Sequence, residues 1–348
     1  MNVVTCKVRV VEDLRSRRIR MSVKNNQVQF LRGIACLVIV FFHYYCRYEQ
    51  IYFNNYQYPL LISEMGTIGV LIFWLLSGYY LIPNREINSI QYILNRGYKL
   101  YPPYLISIIM IYLLSFSGYL GANREVSISD FLKNVIMVNG FIASPYVDGA
   151  HWYLTYTVTF ILIASILILL KKQHDINYYM IWLLINVILC MSTKVVDNPI
   201  IKILLLMSGG SYAPVVIIGV IFRQINENIL ETNKSRLALI FSFFAILLTS
   251  GKLYFLEALI MSCIVWVVIN KSVKIINKFT WVISIGNMSY IIYLIHQNIG
   301  YMILNYFNSK FEINNILLIF IASAIIIMAS WMIKYICDVL FYKKNRLA

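Results

Sequence analysis

Apolar residues are gathered along this chain into long runs separated by short polar segments, rather than into a one-faced helical stripe or a strand alternation. A bilayer's hydrocarbon core is about 30 Å thick and takes about 20 helical residues to cross, so each run predicts a spanning helix. Ten such spans are expected, over residues 30–47, 66–82, 100–118, 152–170, 178–193, 200–222, 236–250, 253–270, 281–305 and 313–337. The fifth and seventh are short. The sixth contains Gly209, Gly210 and Pro214 and is expected to be broken or split. Between the third and fourth spans lies the longest connection, Gly118 to Ala150, in which Ser129 and Asp130 ahead of Phe131 to Phe141 predict a capped helix lying at the membrane interface.

Composition removes the soluble alternative: of 348 residues, 60% are apolar and 13% charged, against about 45–50% and about 25% in ordinary soluble domains. The mean hydropathy of +0.72 agrees. A formal charge of +15 could suggest nucleic acid, but the basic residues sit in clusters between the spans, which is how a multi-pass protein is oriented. With the N-terminus inside, the inner segments hold twenty-two of the thirty Lys and Arg and the outer segments seven. The expected fold is therefore an all-α integral membrane bundle of about ten transmembrane helices with both termini cytoplasmic, and no nucleic-acid partner. Residues 1–29 form a basic cytoplasmic arm with no signal peptide, in which 1–20, ahead of Met21, could be an upstream-start extension. Residues 30–340 form the membrane domain and 341–348 a cytoplasmic tail. The six cysteines show no CxxC spacing, so neither a disulfide framework nor a metal site is expected, and no transporter-like internal repeat is visible.

An ionisable group inside a span points to function. His43 is the first, in an otherwise apolar and aromatic stretch from Leu37 to Tyr45. Arg32 lies eleven residues earlier; at about 100° per residue that is within about 20° of three full turns, and at about 1.5 Å per residue it is roughly 16 Å along the axis. One helix face thus carries a cation near the inner end and an imidazole about halfway through the bilayer. Glu49, six residues past His43, would reach it only if the helix unwinds there. Arg96 and Lys99 are neighbours at i and i+3 just before Pro102 and Pro103. They are explained either as a positive-inside flank or, with Arg32, as an inner basic cluster suited to the phosphates of a cytosolic anionic ligand. The weaker candidates are Ser77 with Gly78, which also suit close helix packing, and His151 with Trp152, which also suit an aromatic belt. Glu257 and His296 complete the set as polar residues within spans.

Five motifs in order give the chain a resemblance. They are Arg32-x10-His43; Gly69-Val70 followed by Phe73, Ser77 and Gly78; Arg96-x-x-Lys99 with Tyr101-Pro102-Pro103-Tyr104; His151-Trp152-Tyr153-Leu154; and Ser289-Tyr290 to Tyr293-Leu294-Ile295-His296. Over roughly residues 28 to 340 the chain resembles the membrane-bound acyltransferase 3 family, whose members O-acetylate surface polysaccharides and other extracytoplasmic acceptors. Two departures stand out: Lys99 replaces an Arg, keeping the charge but losing the planar fork, and Leu71 stands where many members have an acidic residue. The resemblance implies acetyl-CoA as acyl donor, held by Arg32, Arg96 and Lys99, with no metal. It implies a carbohydrate or lipid-linked glycan acceptor, approached from the side of His151 and Trp152, and a bacterial cell membrane as the location. No extracytoplasmic hydrolase-like domain is expected after the last span.

The preferred reading is an integral membrane O-acetyltransferase with His43 as base or acyl carrier, since neutral imidazole is suited to take a hydroxyl proton near pH 7. The alternative is a polysaccharide flippase or other transporter without group transfer, which has no need of an Arg and a His in register.

Overall fold

The computed structural model describes residues 26–342, apart from 55–56, 84–85, 122–125, 138 and 272. The arm up to residue 25 and the tail from 343 lie outside the described residues. Among the described residues there is no strand, and every apolar run is a helix. The first, α1, spans Asn26–Phe53, with a π-helical stretch at His43–Arg47. Then come α2 (Met65–Tyr79), α3 (Ser89–Ser115) and a short α4 (Ile128–Val135) in the long connection, followed by α5 (Trp152–Leu169) and α6 (Ile176–Val195). The sixth run is split, as its glycines predict, into α7 (Pro199–Met207) and α8 (Ala213–Asn226). The chain ends with α9 (Thr232–Ser250), α10 (Lys252–Asn270), α11 (Thr280–Lys310) and α12 (Asn315–Cys337).

Among the described residues seven helical stretches are long and apolar enough to cross a membrane: α1, α3, α5 with the turn before it, α6, the joined α7–α8 stretch, α10, and α12 with its continuation to Tyr342. The other three runs are helices that fall short for physical reasons. The 15 residues of α2 rise only about 22 Å. α9 opens on the polar Thr232–Arg236. α11 is long enough but carries Ser289, His296, Gln297, Asn298 and Asn305 among its apolar residues. The polarity that lowers its hydropathy belongs to the site described below.

Three local expectations need correction. α3 begins at Ser89, capped by Asn88, so Pro102 and Pro103 lie inside the helix rather than at its start. Pro103 has no N–H for the Lys99 carbonyl four residues earlier, and the Tyr342 hydroxyl donates to that carbonyl instead at 3.1 Å. The cap of α4 is Ser127, whose Oγ accepts from the Asp130 N–H at 3.0 Å and donates to its carboxylate at 2.8 Å. The latter bond holds the Asp130 carboxyl below its ordinary range. The helix stops at Val135, well before Phe141, because Met137 turns to φ 55°.

Two apolar clusters share the interior. One is built on α2 and α8 with α5, α6, α9 and α10; the other is built on α11 with α3 and α12. Helix α1 belongs to both, through Leu31 and Ala35 in the first and Val40, Tyr44 and Tyr48 in the second. Glycines set how closely the helices approach, as in membrane bundles generally. A Cβ on Gly78 would overlap the Val216 carbonyl, and one on Gly219 would overlap that of Leu75, so α2 and α8 touch backbone to backbone. Gly33 against Val282 and Gly286 against Gln29 do the same for α1 and α11. Of the paired motif Ser77-Gly78, the packing role thus falls to the glycine. Gly78→Val is expected to separate α2 from α8 at a cost of about 1–3 kcal/mol or more. The check is the monodisperse peak in fluorescence-detected size-exclusion chromatography, which should shrink or vanish.

Candidate active site

Helices α1 and α11 run past one another and divide the interior in three. Toward one end, Arg32 and Ile39 of α1 and Ser289, Tyr290 and Tyr293 of α11 line a cavity of about 340 Å³, completed by α2, α3 and α5. Toward the other end, Tyr44, Tyr45, Tyr48 and Glu49 of α1 and Leu304 and Asn308 of α11 line a second cleft of about 180 Å³. His43 falls between these two sets on α1, as His296 and Tyr301 do on α11.

The three meet in the partition. His43 Nδ1 lies 3.0 Å from the Tyr301 hydroxyl, and its ring stands edge-on to that of His296 at 4.8 Å between centroids. His43 is half-buried and His296 fully buried. The Tyr293 carbonyl 2.8 Å from His296 Nδ1 can only accept, so Nδ1 carries the proton. His296 Nε2 has no hydrogen-bond partner among the described residues. The Tyr44 hydroxyl donates to the His296 carbonyl at 2.8 Å, tying α1 to α11 at this level. The π stretch begins at His43 itself, a distortion frequent at functional sites. Glu49, six residues on and well around the helix from His43, lines the second cleft.

The first cavity is basic. Arg32, Arg96 and Lys99 all line it, and among the described residues no carboxylate does. Arg32 sits over the Tyr80 ring, 5.8 Å from its centroid, and makes no hydrogen bond or ion pair to another described residue. Arg96 differs: it donates to the carbonyls of Tyr80 and Leu81 at the end of α2 and lies over the Tyr92 ring at 5.3 Å. Lys99 is exposed at the same mouth. A cation withdrawn from water without an anion is costly, so a cavity walled by Arg32 with two more cations and no acid is complementary to an anionic ligand. Ser77 lines it too, its hydroxyl 3.0 Å from that of Tyr153, which stacks on Trp74 at 3.8 Å.

Residues 25–335 match a family model described as an acyltransferase domain. The chain belongs to the acyltransferase 3 family. It is a membrane protein and an acyltransferase, and its helical membrane bundle agrees with that assignment. No curated protein and no solved structure matched the chain.

The remaining sequence candidates of the acyltransferase divide. His151 is buried to 1% exposure, and its Nε2–H donates to the Leu294 carbonyl at 3.0 Å. Trp152 stacks on Tyr212 at 5.2 Å, and neither residue lines either cavity. Glu257 on α10 is half-buried and likewise outside both. The expectation passed over Asp148. Its carboxylate accepts from the Ala150 N–H at 2.8 Å and from the Asn298 N–H at 2.9 Å, with no side-chain exposure. Leu294 C=O and Asn298 N–H are the pair that would bond one another in an undisturbed α-helix. The turn carrying Asp148 and His151 therefore engages both ends of one α11 hydrogen bond and holds the segment that carries His296. A carboxylate followed by a helix start was the available signal, but it reads as an ordinary cap. Tyr293 was legible only as part of the fifth motif, and Tyr301 had no signal beyond being a tyrosine in a chain with 27 of them.

Proposed function

We propose that the protein is an integral membrane O-acetyltransferase. It takes the acetyl group of acetyl-CoA held in the basic cavity and delivers it to a hydroxyl of an extracytoplasmic or lipid-linked polysaccharide. The observation that carries this reading is the placement of His43 in the partition between a cation-lined cavity and a second, polar and aromatic cleft. Arg32, Arg96 and Lys99 bind donor phosphates, and Ser77 and Tyr153 offer hydroxyls to the acyl-bearing arm. His43 accepts the proton of the acceptor hydroxyl as its oxygen bonds to the acetyl carbon and the carbon–sulfur bond breaks, the thiolate leaving as coenzyme A. A covalent acetyl-His43 stage satisfies the same balance in two steps.

The test is coenzyme A release from acetyl-CoA by the purified protein in proteoliposomes, with acetylated glycan measured by mass spectrometry. Absence of both, in protein that is folded and inserted, removes group transfer and leaves a transporter. The reading also puts the basic cavity on the cytoplasmic side and both termini in the cytoplasm. A reporter inserted after Lys278 is accordingly expected to score as cytoplasmic and one at Gly121 as external. The opposite pattern would separate the basic cavity from any cytosolic donor.

A further inference from the structure

The cleft beyond His43 is built from a different set of groups than the basic cavity. Among the described residues its lining carries the tyrosines Tyr44, Tyr45, Tyr48 and Tyr58, one carboxylate, Glu49, and two amides, Asn308 and Asn315, above a floor of aliphatic side chains. Among the described residues no Lys, Arg or His lines it. Tyr45 and Tyr58 meet at 62° with centroids 5.8 Å apart, so their faces form a corner rather than a stack. Tyr48 is held in place by donating to Asn305 Oδ1 at 2.6 Å and accepting from Asn308 Nδ2 at 3.0 Å. The Glu49 carboxylate and the Asn315 amide make no hydrogen bond or ion pair to another described residue and are available to a ligand. Tyr48 also lies against Tyr301, centroids 5.7 Å apart, and Tyr301 contacts His43. One ring therefore separates the cleft from the imidazole.

We infer that this cleft is the acceptor site and that it takes an uncharged saccharide ring. The inference rests on the acetyltransferase reading above for its role in the reaction, but not for its binding. A pyranose has a C–H face that packs on an aromatic ring and a rim of hydroxyls that both donate and accept. Tyrosines supply large amphipathic faces, and a planar carboxylate and amides supply acceptors and donors for adjacent hydroxyls. At about 180 Å³ the cleft has room for one sugar unit, not for a length of polymer. The sign of its charge excludes acidic sugars and phosphates at this position, because such an anion would face Glu49 with no cation in the lining. Approach from this end brings a ring hydroxyl to the side of the partition opposite the basic cavity, as transfer between two compartments requires.

The experiment uses the full chain in lipid nanodiscs and saturation-transfer-difference NMR with methyl glycosides of glucose, galactose and N-acetylglucosamine as probes. Methyl glucuronide and choline serve as charged counterparts. At least one neutral glycoside is expected to receive saturation. Glu49→Gln and Tyr45→Ala should each weaken its binding about tenfold, the size of one lost hydrogen bond to a charged group or one lost aromatic face. Glu257→Gln, which lies outside both cavities, should bind it as the wild type does. Saturation of none of the neutral glycosides overturns the proposal. So does binding that Glu49→Gln leaves intact, and so does preference for glucuronide. Choline saturated in place of the sugars, and lost in Tyr45→Ala, would make the cleft an ammonium cage and equally overturn it. Glu49→Gln changes no volume and guards against a misfolded Tyr45→Ala. If the sugar binds but His43→Ala still transfers acetyl, the cleft stands and the assignment of His43 falls.

Discussion

Replacing His43 with alanine is expected to leave the protein inserted and folded while lowering acetyl transfer by about 10²- to 10⁴-fold, the usual contribution of a positioned general base. The side chain touches Tyr301 and His296 but closes no apolar layer, and it is half-buried rather than part of the core. Its removal thus costs the bundle little. His43→Gln is the sharper control, because it keeps a polar side chain of similar reach beside Tyr301 but cannot take a proton near neutral pH. Coenzyme A release and glycan acetylation should fall together in both variants at matched protein levels. Activity within a few-fold of wild type in either would remove His43 from the mechanism, whatever the cavities bind.

The second large effect is expected at Arg32, and the structure separates it from Arg96. Arg32 makes no hydrogen bond or ion pair to another described residue and only overlies Tyr80, so its charge is available to a ligand. Arg32→Gln should raise the apparent donor KM by the equivalent of about 1.5–3 kcal/mol, the worth of a charge-assisted contact, and leave the acceptor KM unchanged. Arg96 already donates to the Tyr80 and Leu81 carbonyls at the end of α2. Arg96→Lys loses the planar guanidinium whose Nη2 reaches both carbonyls, and should reduce folded protein as well as donor affinity. Lys99 is exposed and lines the same mouth. Lys99→Arg should be tolerated or should lower the donor KM, since it adds a fork where no backbone bond is lost. Donor and acceptor titrations in proteoliposomes distinguish these outcomes. An unchanged donor KM in Arg32→Gln would assign the cation to membrane topology alone.

What the sequence could determine was local. Long apolar runs give helices wherever they occur, because a chain in lipid must satisfy its own backbone, and all ten runs are helical in the structure. The register of Arg32 and His43 follows from helix geometry over three turns of α1, and that of Arg96 and Lys99 from a single turn of α3. Glycines next to a proline announced the break between α7 and α8. The errors were also local: turn chemistry, not hydropathy, set the cap at Ser127 and the early start of α3 at Asn88.

Only the tertiary structure decided what stands beside His43. Tyr301 and His296 lie more than 250 residues away along the chain, and no periodicity within one helix encodes which residue of another helix faces it. That pairing depends on the close approach of α1 and α11 at Gly33 and Gly286. It also depends on Asp148 and His151 engaging α11 at Leu294 and Asn298. The same packing left one space lined by cations and another lined by tyrosines, amides and a carboxylate, with His43 between them. The residue types of both spaces are present in the sequence, but a cavity is a property of surfaces that fail to meet, and those surfaces come from helices far apart in the chain.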